Sequence, residues 1–180
     1  MAQDILDELR HDHDEVRELF DRVESAQGDR RQELFQQLVG ELIRHEVAEE
    51  EILRPISTRD AGKAIANARN KEESEAETLL KEMERLDVGS AAFDQKLGRL
   101  RRKVEQHAEA EEQKEFPRVQ QKESADMLRK MGTAYEMAKK AAPTRPHPST
   151  PNTAGANMLV GPFAAVMDRA RDAVRSAMKG

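Results

Sequence analysis

The chain has no cysteine and no tryptophan, its only tyrosine is Tyr135, and aromatic residues make up 3% of its 180 positions. Without thiols there can be no disulfide, thiolate metal site, iron–sulfur ligation or cysteine nucleophile. Long apolar runs are also missing: no uncharged stretch approaches the ~20 residues needed to span a bilayer. The N-terminus is charged from Asp4 onward and lacks the apolar segment of a secretory signal. A net charge of -5 gives no basic excess that would suggest nucleic acid as a partner. The glycines are scattered, with no G-x-x-x-x-G-K-S/T phosphate loop, and the serines hold no register with a histidine that would suggest a triad. These absences lead us to expect a cytoplasmic protein with no integral membrane segment and no nucleic-acid partner.

What is abundant is charge, at 36% of residues, in a mixture of Glu, Lys, Arg, Leu and Ala that favours helices over sheets. Turn signals divide the chain into long amphipathic stretches. Asp4 can cap a first helix carrying Ile5, Leu9, Val16, Leu19, Phe20 and Val23, with Gly28 as its stop. A second begins near Asp29, carries Leu34, Phe35, Leu38, Leu42 and Ile52, and is ended or bent at Pro55. A third starts near Gly62 with Ile65, Ala76, Leu79, Leu80, Met83 and Leu86, and Asp87–Gly89 closes it. Ser90 caps a fourth, where Phe93, Leu97, Leu100 and Val104 lead to His107 and Pro117. Short connections favour antiparallel neighbours, so the expected fold is all-α: an up-down-up-down antiparallel four-helix bundle over residues 1–120 with a C-terminal helical extension. An additional helix is expected over 121–142, capped by Ser124 and containing Tyr135. A Pro-rich linker follows at 143–161, then a C-terminal amphipathic helix at 162–180. That last helix could dock on the bundle, pair with a second copy or touch an anionic membrane surface; docking and pairing are the simpler readings, which leaves monomer and homodimer both open.

Within this framework one phrase occurs twice. His45, Glu49, Glu50 and Pro55 are spaced as His107, Glu111, Glu112 and Pro117, both reading H-x3-E-E-x4-P. A His and a Glu four residues apart on a helix of ~3.6 residues per turn point the same way, so each segment can offer an imidazole and a carboxylate to one metal ion. The apolar stripes place both histidines on buried faces. The Leu9–Val16–Phe20 stripe turns His13 inward and His11 outward, because residues two apart lie about 200° around the helix. His147 falls in the Pro-rich segment and reads as solvated. An unpaired buried carboxylate is expensive, so two of them in register with apolar stripes point to a cation. The repeat extends further: in the register that aligns Val16, Leu19, Phe20 and Val23 with Ala76, Leu79, Leu80 and Met83, His13 falls on Glu73. A slip by one residue would put Glu72 there, and Glu77 lies one turn later. Tyr135 could approach the site from the fifth helix or simply pack. The E-x-x-H arrangement of ferritin-like di-iron bundles is absent at the key positions, around His45 and His107; there the histidine comes first and the spacing is four.

The segments DHDEVRELF (12–20), HEVAEEEILRP (45–55), EESEAETLLKEM (72–83) and HAEAEEQKEFP (107–117) resemble those of the hemerythrin-like, or HHE cation-binding, proteins, over roughly residues 4–120. The resemblance implies a non-haem di-iron centre inside a four-helix bundle, oxo- or hydroxo-bridged, with carboxylates linking the two irons. Residue by residue, it carries over His13, His45, Glu49, His107 and Glu111 as metal ligands. The family usually has a histidine on the third helix, where this chain offers Glu73. With Glu73 the set is three imidazoles and three carboxylates. Oxygen donors are harder than imidazole and favour ferric iron, and the added negative charge weakens stabilisation of bound dioxygen or peroxide. That argues for redox chemistry, peroxide handling or iron oxidation over reversible oxygen carriage, while zinc or manganese also suit a mixed N/O set.

Three functions are therefore expected in competition: a di-iron protein that binds, senses or detoxifies dioxygen, peroxide or nitric oxide; an iron-oxidising or catalase-like enzyme, or iron store, at the same site; and a metal-free helical interaction module.

Overall fold

The computed structural model describes residues 3–142 and Asp172. Seven α-helices and one π-helical turn account for the described chain, with no strand among the described residues: α1 (Ile5–Ser25), α2 (Gly28–Ile52), α3 (Arg54–Asp60), α4 (Lys63–Met83), α5 (Ala91–Ala110), the π turn (Glu111–Glu115), α6 (Phe116–Lys122) and α7 (Ala125–Ala141). The expected Pro-rich linker, the helix over 162–180 and His147 lie outside the described residues. No helix among those described is long and apolar enough to cross a membrane.

Helix starts follow local chemistry. Asp4 is extended, and its carboxylate accepts from the Leu6 and Asp7 amides at 2.9 and 3.0 Å, satisfying donors that the first turn leaves orphaned. Ser90 caps α5 and Ser124 caps α7 in the same way, accepting from Phe93 N–H at 3.2 Å and Met127 N–H at 3.1 Å. Gly62, between α3 and α4, has φ 102, a conformation that costs a residue with a Cβ far more than glycine.

The two prolines are accommodated differently. At Pro55, α2 stops at Ile52 and α3 begins at Arg54, with Leu53 still in right-handed helical geometry. Proline in a first turn sacrifices only an amide that would have been orphaned. At Pro117 the helix axis continues, but the turn before it widens: Phe116 N–H bonds to the carbonyl of Glu111, five residues back. A π turn of this kind is rare and tends to mark functional positions.

Among the long helices, α1 packs along α2 and also meets α5, and α4 packs along α5. Leu9, Val16, Phe20, Leu38, Leu80, Leu97 and Leu100 are among the buried core, whereas Leu19, Phe35, Ile52, Ala76, Leu86 and Val104 pack against it only partly buried. The seventh helix lies across both α1 and α2, burying Leu128, Met131, Tyr135 and Ala138. That docking depends on Gly132, where a Cβ would overlap the carbonyl oxygen of Gln3 and approach Ile5 N to 3.1 Å. Gly132→Ala should therefore destabilise the protein by about 1–3 kcal/mol through overpacking, read as a lower urea midpoint. An unchanged or raised midpoint would show that α7 is not seated as described.

Candidate metal centre

Four helical segments bring their inward side chains to one buried cluster. His13 comes from α1, His45 and Glu49 from α2, His107 from α5, and Glu111 opens the π turn. The i,i+4 pairs close as helical geometry requires, with His45 Nε2 3.4 Å from Glu49 Oε2 and His107 Nε2 3.1 Å from Glu111 Oε1. The other oxygen of Glu111 lies 3.3 Å from His13 Nε2. Two triads result, His13–His45–Glu111 and Glu49–His107–Glu111. The donor atoms within each lie within 4.8 Å of one another. Glu111 belongs to both.

Each imidazole is also held from behind. His13 Nδ1 lies 2.8 Å from Glu112 Oε1, and His107 Nδ1 lies 3.1 Å from Glu72 Oε2. The Tyr135 hydroxyl donates to Asp12 Oδ2 at 2.6 Å, so its oxygen is left to accept from His45 Nδ1 at 3.0 Å. Assigned from these partners, all three rings carry their proton on Nδ1 and turn Nε2 inward. Outer partners of this kind fix the tautomer of metal-binding histidines. His13 Nε2 and both oxygens of Glu111 are buried without a hydrogen-bond partner. Buried polar atoms are rarely left so, and these three point at common space. Imidazole nitrogen with carboxylate oxygen suits iron, zinc or manganese, so the residues present fit a cation.

The electrostatics are uneven. Burial alone would raise the Glu111 carboxyl, but His107 and His13 hold it well below its ordinary range. Burial opposes protonation of His107, yet Glu111, Glu72 and Glu49 push it well above its usual value. His13 is raised against burial by Glu111 and Glu112. His45 is lowered by burial and by neighbouring His13, with Asp12 opposing. Glu49 is raised well above its ordinary value by burial and by Glu111, with Arg54 opposing.

Of the third-helix candidates, Glu73 is the one facing the cluster, 3.9 Å from His107 Nε2. Glu72 lies behind His107, where it also accepts from Arg69. Glu77 pairs with Lys81 along α4 at 3.2 Å. Glu73 is not directed at the histidines alone, because it forms an ion pair with Arg54. Arg54 also reaches Glu49 Oε1 at 2.6 Å, Glu111 Oε1 at 3.8 Å and Glu115 Oε1 at 3.5 Å. Reasoning from sequence missed this arginine, although it occupies the position that Phe116 takes in the second H-x3-E-E-x4-P phrase. Asp12, 1% exposed, and Glu112 were missed as well. Asp12 also pairs with Lys139.

A cavity of about 50 Å³ adjoins the three histidines; Val16, Phe20, Leu42, Ala76, Leu80 and Val104 line it together with charged side chains that include Arg17, Glu46, Lys103 and Glu105. It has room for a few waters or a molecule of two or three heavy atoms.

The family model for the hemerythrin HHE cation binding domain matches residues 4–119. An uncharacterized hemerythrin-like protein of Schizosaccharomyces pombe is 28% identical over 172 residues, covering 93% of this chain and 85% of its own. A protein named DNA nickase from Nostoc sp. is 27% identical over 136 residues, covering 75% of this chain but only 39% of the nickase. No solved structure matches.

The hydroxyl between Asp12 and His45 supplies a test of the outer partners. Tyr135→Phe should lower the stability of chelator-treated protein by about 1–3 kcal/mol, because two buried groups lose a partner. It should also move the His45 nitrogen NMR shifts away from the Nδ1–H tautomer. Unchanged stability with an unchanged tautomer would remove Tyr135 from the site.

Proposed function

The chain belongs to the hemerythrin HHE cation-binding family, and on that premise we propose that it holds a dinuclear non-haem iron centre that binds, senses or detoxifies dioxygen, peroxide or nitric oxide. The observation that carries this reading is the sharing of Glu111 by two donor triads. One carboxylate with one oxygen 3.3 Å from His13 Nε2 and the other 3.1 Å from His107 Nε2 is the arrangement needed to link two ions. We assign His13, His45 and Glu111 to one ion and His107, Glu49 and Glu111 to the other, with Glu73 within reach of the second. We also read the four long helices α1, α2, α4 and α5 as the up-down-up-down bundle, supported by their short connections and by the α1–α2 and α4–α5 packing.

Bound iron would supply the redox and ligand-binding chemistry. The protein's own part is to aim three Nε2 atoms inward and to exclude bulk water. The apolar walls of the adjoining cavity suit a small, weakly polar ligand and limit its size. A metal-free module is disfavoured because it gives no account of the unpartnered Glu111 oxygens and His13 Nε2.

Turnover of peroxide or ferrous iron is a second reading, favoured by the Tyr135–Asp12 hydrogen bond behind His45. It places an oxidisable phenol and a proton acceptor against a ligand residue.

Anaerobic loading with ferrous iron should saturate at two ions per chain, and exposure to oxygen or peroxide should then produce a visible absorption band. Glu111→Gln should abolish both binding steps, whereas Glu49→Gln should weaken one. Failure to retain any metal after iron-replete expression and direct loading would sink the reading. Catalytic loss of peroxide or ferrous iron, abolished in His45→Ala, would select the enzyme; stoichiometric binding alone would select the binder.

A further inference from the structure

The two H-x3-E-E-x4-P phrases differ in the pair of residues before the proline. The first has Leu53 and Arg54; the second has Glu115 and Phe116. In space the differences are complementary. Phe116 stacks against the His13 ring, with centroids 6.1 Å apart. Arg54 instead turns its guanidinium into the opposite half of the cluster, against Glu49, Glu73 and Glu115, with its farthest ion-pair contact the 3.8 Å approach to Glu111. The arginine is buried, at 8% exposure, and two of its nitrogens, Nε and Nη1, have no hydrogen-bond partner. It is therefore held by charge rather than by a complete set of hydrogen bonds. Neither His13 nor His45 has an ion-pair partner in Arg54; their contacts run to Glu111, Glu112, Asp12 and Glu49.

We propose that Arg54 is an internal counter-cation that makes the two halves of the centre unequal. The His13–His45–Glu111 half is free to bind a divalent ion directly. The half formed by His107, Glu49 and Glu111, with Glu73 within reach, fills only when the guanidinium gives up Glu49 and Glu73. Arg54 thus sets metal stoichiometry and relative affinity, acting as a positioning residue for Glu49 and Glu73. A guanidinium cannot lose its charge at accessible pH, so Arg54 stays a cation whenever a second ion competes for Glu49 and Glu73. The inference rests on the metal-binding reading above.

The test is calorimetric titration of the full chain with ferrous iron under anaerobic conditions. The native protein should show two steps whose dissociation constants differ by about tenfold or more, as a unit charge a few ångströms from a partly desolvated ion requires. Arg54→Met should tighten the second step by about tenfold or more and change the first far less. Arg54→Lys, which keeps the charge, should keep the gap. Two equal steps in the native chain, or a parallel change of both steps in Arg54→Met, would overturn the proposal while leaving the metal site standing. Absence of binding in every variant and in the native chain would instead overturn the metal reading itself. If Arg54→Met fails to fold, the native chain still decides: the Arg54 Nε–H NMR resonance, identified by its loss in Arg54→Lys, should make its main shift with the second equivalent of zinc, used as a diamagnetic stand-in for ferrous iron. A main shift with the first equivalent, or none at all, would refute the proposal.

Discussion

The contact on which the interior depends is the carboxylate of Glu111, wholly buried between His13 and His107 at 3.3 and 3.1 Å. An isolated carboxylate there would be intolerable. With Nδ1 of His13 and of His107 engaged by Glu112 and Glu72, what offsets that penalty is positive charge on the inner side, a proton on Nε2 or a bound cation held between α1 and α5. Everything else in the cluster is arranged around this contact. Glu112 and Glu72 hold the outer nitrogens of those two rings, and the π turn begins at Glu111 itself. Buried charges of this kind rarely add stability over an apolar core. Their retention is better explained by what the site holds than by what it contributes to folding.

The symmetry of the repeated phrase is only partial, and its breakdown organises the site. The first proline leads into a new short helix, and the second follows a widened turn. The first phrase carries an arginine among the carboxylates, and the second carries an aromatic ring against an imidazole. His45 is backed by a tyrosine hydroxyl at 3.0 Å, with the Asp12 carboxylate 3.5 Å from the same nitrogen, and that hydroxyl comes from α7, beyond the region matched by the family. The seventh helix is thus tied to the centre through the Tyr135–Asp12 contact at 2.6 Å, with Lys139 of the same helix paired to Asp12. One consequence is that changes in α7 can be felt at His45 without touching any residue of the cluster.

Much of this was legible in the sequence because it is local. The caps Asp4, Ser90 and Ser124 act on their own first turns, and the i,i+4 pairs are fixed by helix geometry. The inward turn of His13 and outward turn of His11 followed from the apolar stripe. The remainder was hidden because it depends on contacts far apart in the chain. Asp12 and Tyr135 are 123 positions apart, and nothing in either neighbourhood announces the other. Glu112 was visible only as part of the repeated phrase, and its partner His13 is 99 positions away. The choice among Glu72, Glu73 and Glu77 turns on which side of α4 meets α5, and a register of apolar residues does not settle it. Arg54 had a visible signal, the mismatch with Phe116 just before the shared proline, but it was one of several differences between the two segments and its direction into the carboxylates depends on how the helices pack. The different outcomes at Pro55 and Pro117 have the same origin, since the proline dictates that the helix must adjust and the packing around it dictates how.

The central claim, that Glu111 links two cation positions, is tested most directly by crystallography of iron-loaded protein with anomalous diffraction at the iron edge. Two anomalous peaks should flank the Glu111 carboxylate. One should lie among His13 and His45, and a second, of lower occupancy at limiting iron, beside His107 and Glu49. A single peak at full saturation, or iron bound away from Glu111, would contradict that claim.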